Sequence, residues 1–128
     1  MIFVDTNVLM YHVGGEHPLG REARGFIEGA LAQGSRLVTS AEVLQELLHV
    51  YLRANRSATL ANAFELVERC MDDVWPVEQA DVALARDLAI VHTGLEARDL
   101  VHLACCQRRG VTALKTFDRA LAAVWQSS

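Results

Sequence analysis

Ile2-Phe3-Val4-Asp5-Thr6-Asn7-Val8-Leu9 opens the chain with three strand-forming residues that run straight into an acid. Isoleucine, phenylalanine and valine suit a pleated, buried surface, so residues 2–4 predict a strand covered on both faces. Asp5 stands where that strand must end. The Asp-Thr-Asn cluster suits a turn or a helix N-cap, and the residues alone leave that reading open beside a ligand role.

Outward from this strand, helical and strand-like segments alternate. A helix is expected from Leu19 to Gln33, stopped by Gly34, and a second strand from Arg36 to Thr39. Thr39-Ser40-Ala41-Glu42 has the form of a capping box opening a helix that reaches Arg53. Further helices are expected over Ser57–Met71, Ala80–Val91 and Ala97–Arg109, the last closed by Gly110. Val74–Val77 and Val111–Lys115 read as strands, and Asp118–Trp125 as a final helix. Strands separated by helices predict an α/β fold with a parallel sheet covered on both faces. In such sheets ligands bind at the carboxyl ends of the strands.

Asp5 and Asp118 fall just past predicted strand ends, Asp99 in a first helical turn, and Glu46 about two turns into a helix. Charged side chains are rarely buried without a partner, so four acids on core elements point to one shared partner, most simply a divalent cation. Each also has a local reading. Asp118 suits a helix cap, and Asp99 suits the positive end of a helix dipole. Glu46 borders the apolar stripe Val43, Leu47, Val50, whereas Glu42 is expected to serve the cap and face solvent. Arg98 stands beside Asp99, ready for a phosphate or for its neighbour's charge. The histidines His12, His17, His49, His92 and His102 are scattered, with His12 and His17 expected in a Gly-rich loop.

A single domain over residues 1–128 is expected, and the net charge of −4 argues against a protein that coats nucleic acid electrostatically. A metal-filled acidic pocket is locally positive, so a nuclease stays open. Of the basic residues eleven are Arg and one, Lys115, is Lys, which suits phosphate binding or merely reflects Arg-rich coding. Cys70, Cys105 and Cys106 have no metal spacing and read as reduced thiols. No apolar run is long enough for a membrane span and no leader precedes the first strand, so no membrane association and a cytoplasmic location are expected. With 52% hydrophobic residues, an apolar face is expected around Tyr51, Leu52, Leu60, Phe64, Leu66 and Val67. Pairing of two copies there would bring Arg53 and Arg56 to a shared groove for RNA phosphates or an acidic partner tail.

The opening Ile-Phe-Val-Asp-Thr-Asn-Val-Leu, Ser40 followed by Glu46-Leu47, Arg98-Asp99-Leu100-Val101-His102-Leu103-Ala104 and Thr116-Phe117-Asp118 together resemble the PIN-domain family, in particular the ribonuclease toxins of VapBC-type modules. The resemblance implies a three-layer α/β/α sandwich around a parallel sheet. It implies Mg2+- or Mn2+-dependent endonucleolytic cleavage of RNA, and a homodimer neutralised by a cognate antitoxin. By that resemblance Asp5, Asp99 and Asp118 are metal-binding acids, Glu46 is a fourth catalytic acid, and Thr6, Asn7 and Thr116 support the carboxylates. A stand-alone PIN nuclease of RNA processing or decay fits the same pattern. An aspartate-based phosphatase fits less well, because Asn7 stands where those enzymes carry a second acid. A non-catalytic, metal-stabilised interaction module is the reading outside enzymes.

Overall fold

The β-branched and aromatic runs form a four-stranded sheet at the centre of the computed structural model, which describes residues 1–127. Its strands are β1 (Ile2–Val4), β2 (Leu37–Ser40), β3 (Asp73–Trp75) and β4 (Ala113–Lys115), in the order β3-β2-β1-β4 and parallel throughout. Phe3, Val4, Leu37 and Val38 are wholly buried, as strands covered on both faces require. The covering helices are α1 (Thr6–Val13), α2 (Pro18–Ala32), α3 (Ala41–Arg53), α4 (Ser57–Cys70), α5 (Gln79–Val91), α6 (Ala97–Arg108) and α7 (Arg119–Ser127). Helices α1 to α4 pack with one another, α5 packs on α6, and α7 lies against β4. The expected α/β/α sandwich is therefore the fold observed.

Helix stops follow from local chemistry. After α2, Gly34 takes φ +73°, a conformation that costs a glycine nothing, and this lets Ser35 N–H reach the Ala30 carbonyl at 2.9 Å. Gly110 closes α6 in the same way, with Val111 N–H on the Cys106 carbonyl.

Three expectations are corrected. Residues 6–13, over which no helix is expected from the sequence, form α1: Asp5 caps it, as the N-cap reading of Asp-Thr-Asn allows, and Val8 and Leu9 carry it into the core. His12 lies within that helix, and His17 caps α2 by accepting Leu19 N–H at its Nδ1, with Pro18 in the first turn. Thr39 does not cap α3; its hydroxyl donates across the sheet to the Val4 carbonyl at 2.9 Å, and Ser40 stands at the N-cap. The expected apolar face is also largely spent inside the chain. Tyr51, Leu66 and Val67 are core residues and Leu60 and Phe64 are half-buried against it, leaving Leu52 as the one strongly exposed member.

Candidate active site

The strand ends supply the floor of the site. Past β1, Asp5 accepts Thr6 N–H on Oδ1 at 2.7 Å and the Thr116 hydroxyl on Oδ2 at 2.7 Å. Asn7 Nδ2 also donates to Asp5 Oδ2 at 3.3 Å, while Asn7 Oδ1 accepts Phe117 N–H at 3.1 Å. These bonds lock the carboxyl ends of β1 and β4 together and fix the Asp5 carboxylate, which is only 4% exposed. Beyond β4, Asp118 Oδ1 accepts the N–H groups of Ala120 and Leu121 at the start of α7. Asp99, in the first turn of α6, accepts Glu96 N–H on Oδ2 at 3.3 Å. Each of these acids thus does a structural job with part of its carboxylate and keeps lone pairs for something else.

All four predicted acids, Asp5, Glu46, Asp99 and Asp118, line one cleft of about 420 Å³ together with Thr6, Asn7 and Arg98. Burial, and then the negative charges of Asp118 and Asp5, push the Asp99 pKa above the usual carboxylate range. Burial works the same way on Glu46, but the hydrogen bond and charge of His102 outweigh it and hold that carboxyl below its ordinary value. Arg98 pairs with Glu96 at 3.1 Å on the rim. Arg56 lies outside this cleft, in a neighbouring groove with Tyr11, His17 and Tyr51, and Arg53 is exposed at the end of α3.

Sequence reasoning missed His102. It is 1% exposed, its Nε2 is 2.6 Å from Glu46 Oε1 and 3.5 Å from Asp5 Oδ1, and its ring tilts against Phe3. Burial opposes a charged imidazole here, yet the Glu46 hydrogen bond and the fields of Asp5, Glu46 and Asp99 raise its pKa above the ordinary value. The signal was present: a histidine three residues after Asp99 faces the same way from the helix, inside an otherwise apolar stripe.

Among the described residues, no three His, Cys, Asp or Glu side chains close into a ready-made metal cage. The donor set nevertheless fits a hard cation. Mg2+ and Mn2+ take carboxylate oxygens, and Mg2+ retains several waters while using only one or two protein carboxylates, which suits an open, acid-lined cleft.

Residues 2–125 match the family model for the PIN domain. The chain belongs to the PIN-domain family. Ribonuclease VapC23 of Mycobacterium tuberculosis is 59% identical over 127 residues, covering 99% of this chain and all of that protein. Ribonuclease VapC13 of the same species is 43% identical, over 93% of this chain and 91% of that one. The crystal structure of M. tuberculosis VapC20, a Sarcin-Ricin loop cleaving toxin, superposes with a TM-score of 0.76 over 97% of this chain and 95% of that one, at 20% identity.

Within this PIN domain, Glu42 departs from expectation. With Thr39 turned to the sheet there is no capping box for it to serve. Its half-buried carboxyl is raised by burial and then by neighbouring Glu46, against the opposing fields of His102 and Arg98. It does not line the cleft.

Proposed function

We propose that this chain is a divalent-metal-dependent endoribonuclease, the toxin of a toxin–antitoxin pair, working in the cytoplasm. The observation that carries the reading is the convergence of Asp5, Glu46, Asp99 and Asp118 from four different elements on one cleft at the carboxyl edge of the sheet. Like charges gathered at that density cost free energy unless a cation answers them; the Asp99 carboxyl is raised first by burial and then by the charges of Asp118 and Asp5. Asp5, Asp99 and Asp118 would hold Mg2+ or Mn2+, with Glu46 facing it across the cleft. Such an ion would supply Lewis acidity, offsetting charge on the attacked phosphate and making water easier to deprotonate.

The protein's own groups then divide the work. Thr6, Asn7 and Thr116 fix the rotamer of Asp5 through three hydrogen bonds. Glu46, held ionised, is placed to accept a proton from water in the cleft. Arg98 on the rim, and Arg56 in the adjoining groove, are placed to bind flanking RNA phosphates, and Arg53 to extend that track. Kinship with VapC ribonucleases supports RNA as substrate and a cognate antitoxin as partner. A homodimer through the exposed Leu52 and the half-buried Leu60 and Phe64 completes the reading.

The test is cleavage of a mixed RNA pool by protein stripped with chelator and then resupplied with Mg2+. Cleavage should vanish on stripping and return on resupply. Cleavage undiminished by the chelator would overturn the metal-dependent reading.

A further inference from the structure

His102 occupies a position that neither packing nor substrate contact explains. It does not line the cleft, so it reaches no substrate; it stands behind the acids, touching Glu46 and Asp5 from inside the protein. Its Nδ1 is buried without a hydrogen-bond partner. A buried polar atom left unpaired is a cost that an apolar side chain of similar size would avoid, on a helix face that His102 shares with the buried Cys105 and Cys106. The cost is therefore offset by what the other nitrogen does.

That nitrogen makes one short bond. Nε2 lies 2.6 Å from Glu46 Oε1, well inside hydrogen-bond range, while Asp5 Oδ1 at 3.5 Å is already satisfied by Thr6 N–H at 2.7 Å. The ring cannot easily turn away, because it rests against Phe3 with centroids 5.6 Å apart. Glu46 comes from α3 and His102 from α6, so the bond also ties those helices together above the buried strand β1.

We propose that His102 is a positioning residue: its Nε2–H holds Glu46 at Oε1 and so fixes the orientation of the carboxylate that lines the cleft. A glutamate free to rotate would offer its oxygens in varied geometries to metal or water; one pinned at Oε1 offers one. This rests on the reading of the acid cluster as the reacting site. Residues behind a metal or catalytic carboxylate commonly matter by about tenfold or more when removed.

The experiment compares wild type, His102→Leu and His102→Gln, with Asp5→Asn as control, in Mg2+-dependent cleavage of a short RNA. Glutamine puts an amide N–H near the place of Nε2; leucine keeps the volume and removes the donor. The expected result is a fall in kcat of at least about tenfold for His102→Leu with KM nearly unchanged, and recovery to within about threefold for His102→Gln. His102→Leu cleaving at the wild-type rate, or His102→Gln no better than His102→Leu when both melt cooperatively, would overturn the proposal. If His102→Leu does not fold, the 15N spectrum of the wild-type imidazole decides. A protonated, hydrogen-bonded Nε2 supports the role and a bare Nε2 overturns it. Cleavage retained by Asp5→Asn would instead remove the reading of the acid cluster itself.

Discussion

At Asp99 two demands oppose each other: its carboxylate is half-buried beside Asp118 and Asp5, and the metal-binding role proposed for it needs the ionised form. The folded pKa lies above the unfolded one, so the folded protein binds the extra proton between those two values. Stability of the metal-free protein therefore falls as pH rises through that window, and the penalty is fully present above the folded value. Asp99→Asn removes the charge and keeps an oxygen for Glu96 N–H, so we predict a higher melting temperature for that variant in chelator at pH 7 and a smaller rise on acidification. Added Mg2+ should reverse the order, because only wild type gains from binding. A lower melting temperature for Asp99→Asn in chelator would show that the acids do not strain the metal-free site. On α3, Glu46→Gln should lower cleavage by about a hundredfold or more, as loss of a proton acceptor does. Glu42→Gln should leave cleavage nearly unchanged and cost no stability, since no cap is lost with it. Initial rates with a defined RNA separate the two.

At the scale of elements, α6 carries both Asp99 and His102, and its far end is clamped. Asp81 of α5, with a fully buried side chain, accepts Arg108 at 2.7 Å and Arg109 at 2.8 and 3.1 Å, and Arg109 also lies over Trp75. Burial opposes the Asp81 charge, but Arg109, the Glu78 N–H and Arg108 outweigh it and hold the carboxyl far below the usual range. Its folded pKa being depressed, the clamp stabilises fully above the ordinary carboxylate value of about 4 and is lost as pH falls below that. Asp81→Ala should cost about 2–3 kcal/mol at neutral pH, since it strands arginines that water still partly reaches. Urea unfolding at pH 7 and pH 3 tests this, and an unchanged midpoint at pH 7 would contradict it. The same scale shows what the sequence made legible. Runs such as Ile2–Val4 and helix punctuation at Gly34 and Gly110 act locally and placed their elements within a residue or two. The acids were legible because carboxylates at strand ends and in apolar stripes are costly. Helix α1 was hidden because turn-forming Asp5-Thr6-Asn7 and Gly14-Gly15 bracket a segment whose helicity comes from packing Val8 and Leu9 into the core. The roles of Thr39 and His102 depend on Val4 and Glu46, partners 35 and 56 positions away in sequence, which no local pattern encodes.

For the whole molecule, the sheet order β3-β2-β1-β4 puts the ends of β1 and β4 side by side, so residues 5 and 118 line one cleft although nearly the whole chain separates them. No helix among the described residues is long and apolar enough to cross a membrane. Light scattering at micromolar concentration should give twice the chain mass, and Leu52→Glu should reduce it to one; a single-chain mass for wild type would contradict the homodimer. The central claim is that four carboxylates act as one metal-dependent unit, and the direct measurement is single-turnover cleavage of one RNA by Asp5→Asn, Glu46→Gln, Asp99→Asn, Asp118→Asn and the double variant Asp5→Asn/Asp99→Asn. Groups that act together lose function together, so every single variant should fall by at least about a hundredfold and the double should be little worse than either parent. Wild-type rates in Asp5→Asn or Asp99→Asn, with fold and Mg2+ present, would contradict the account.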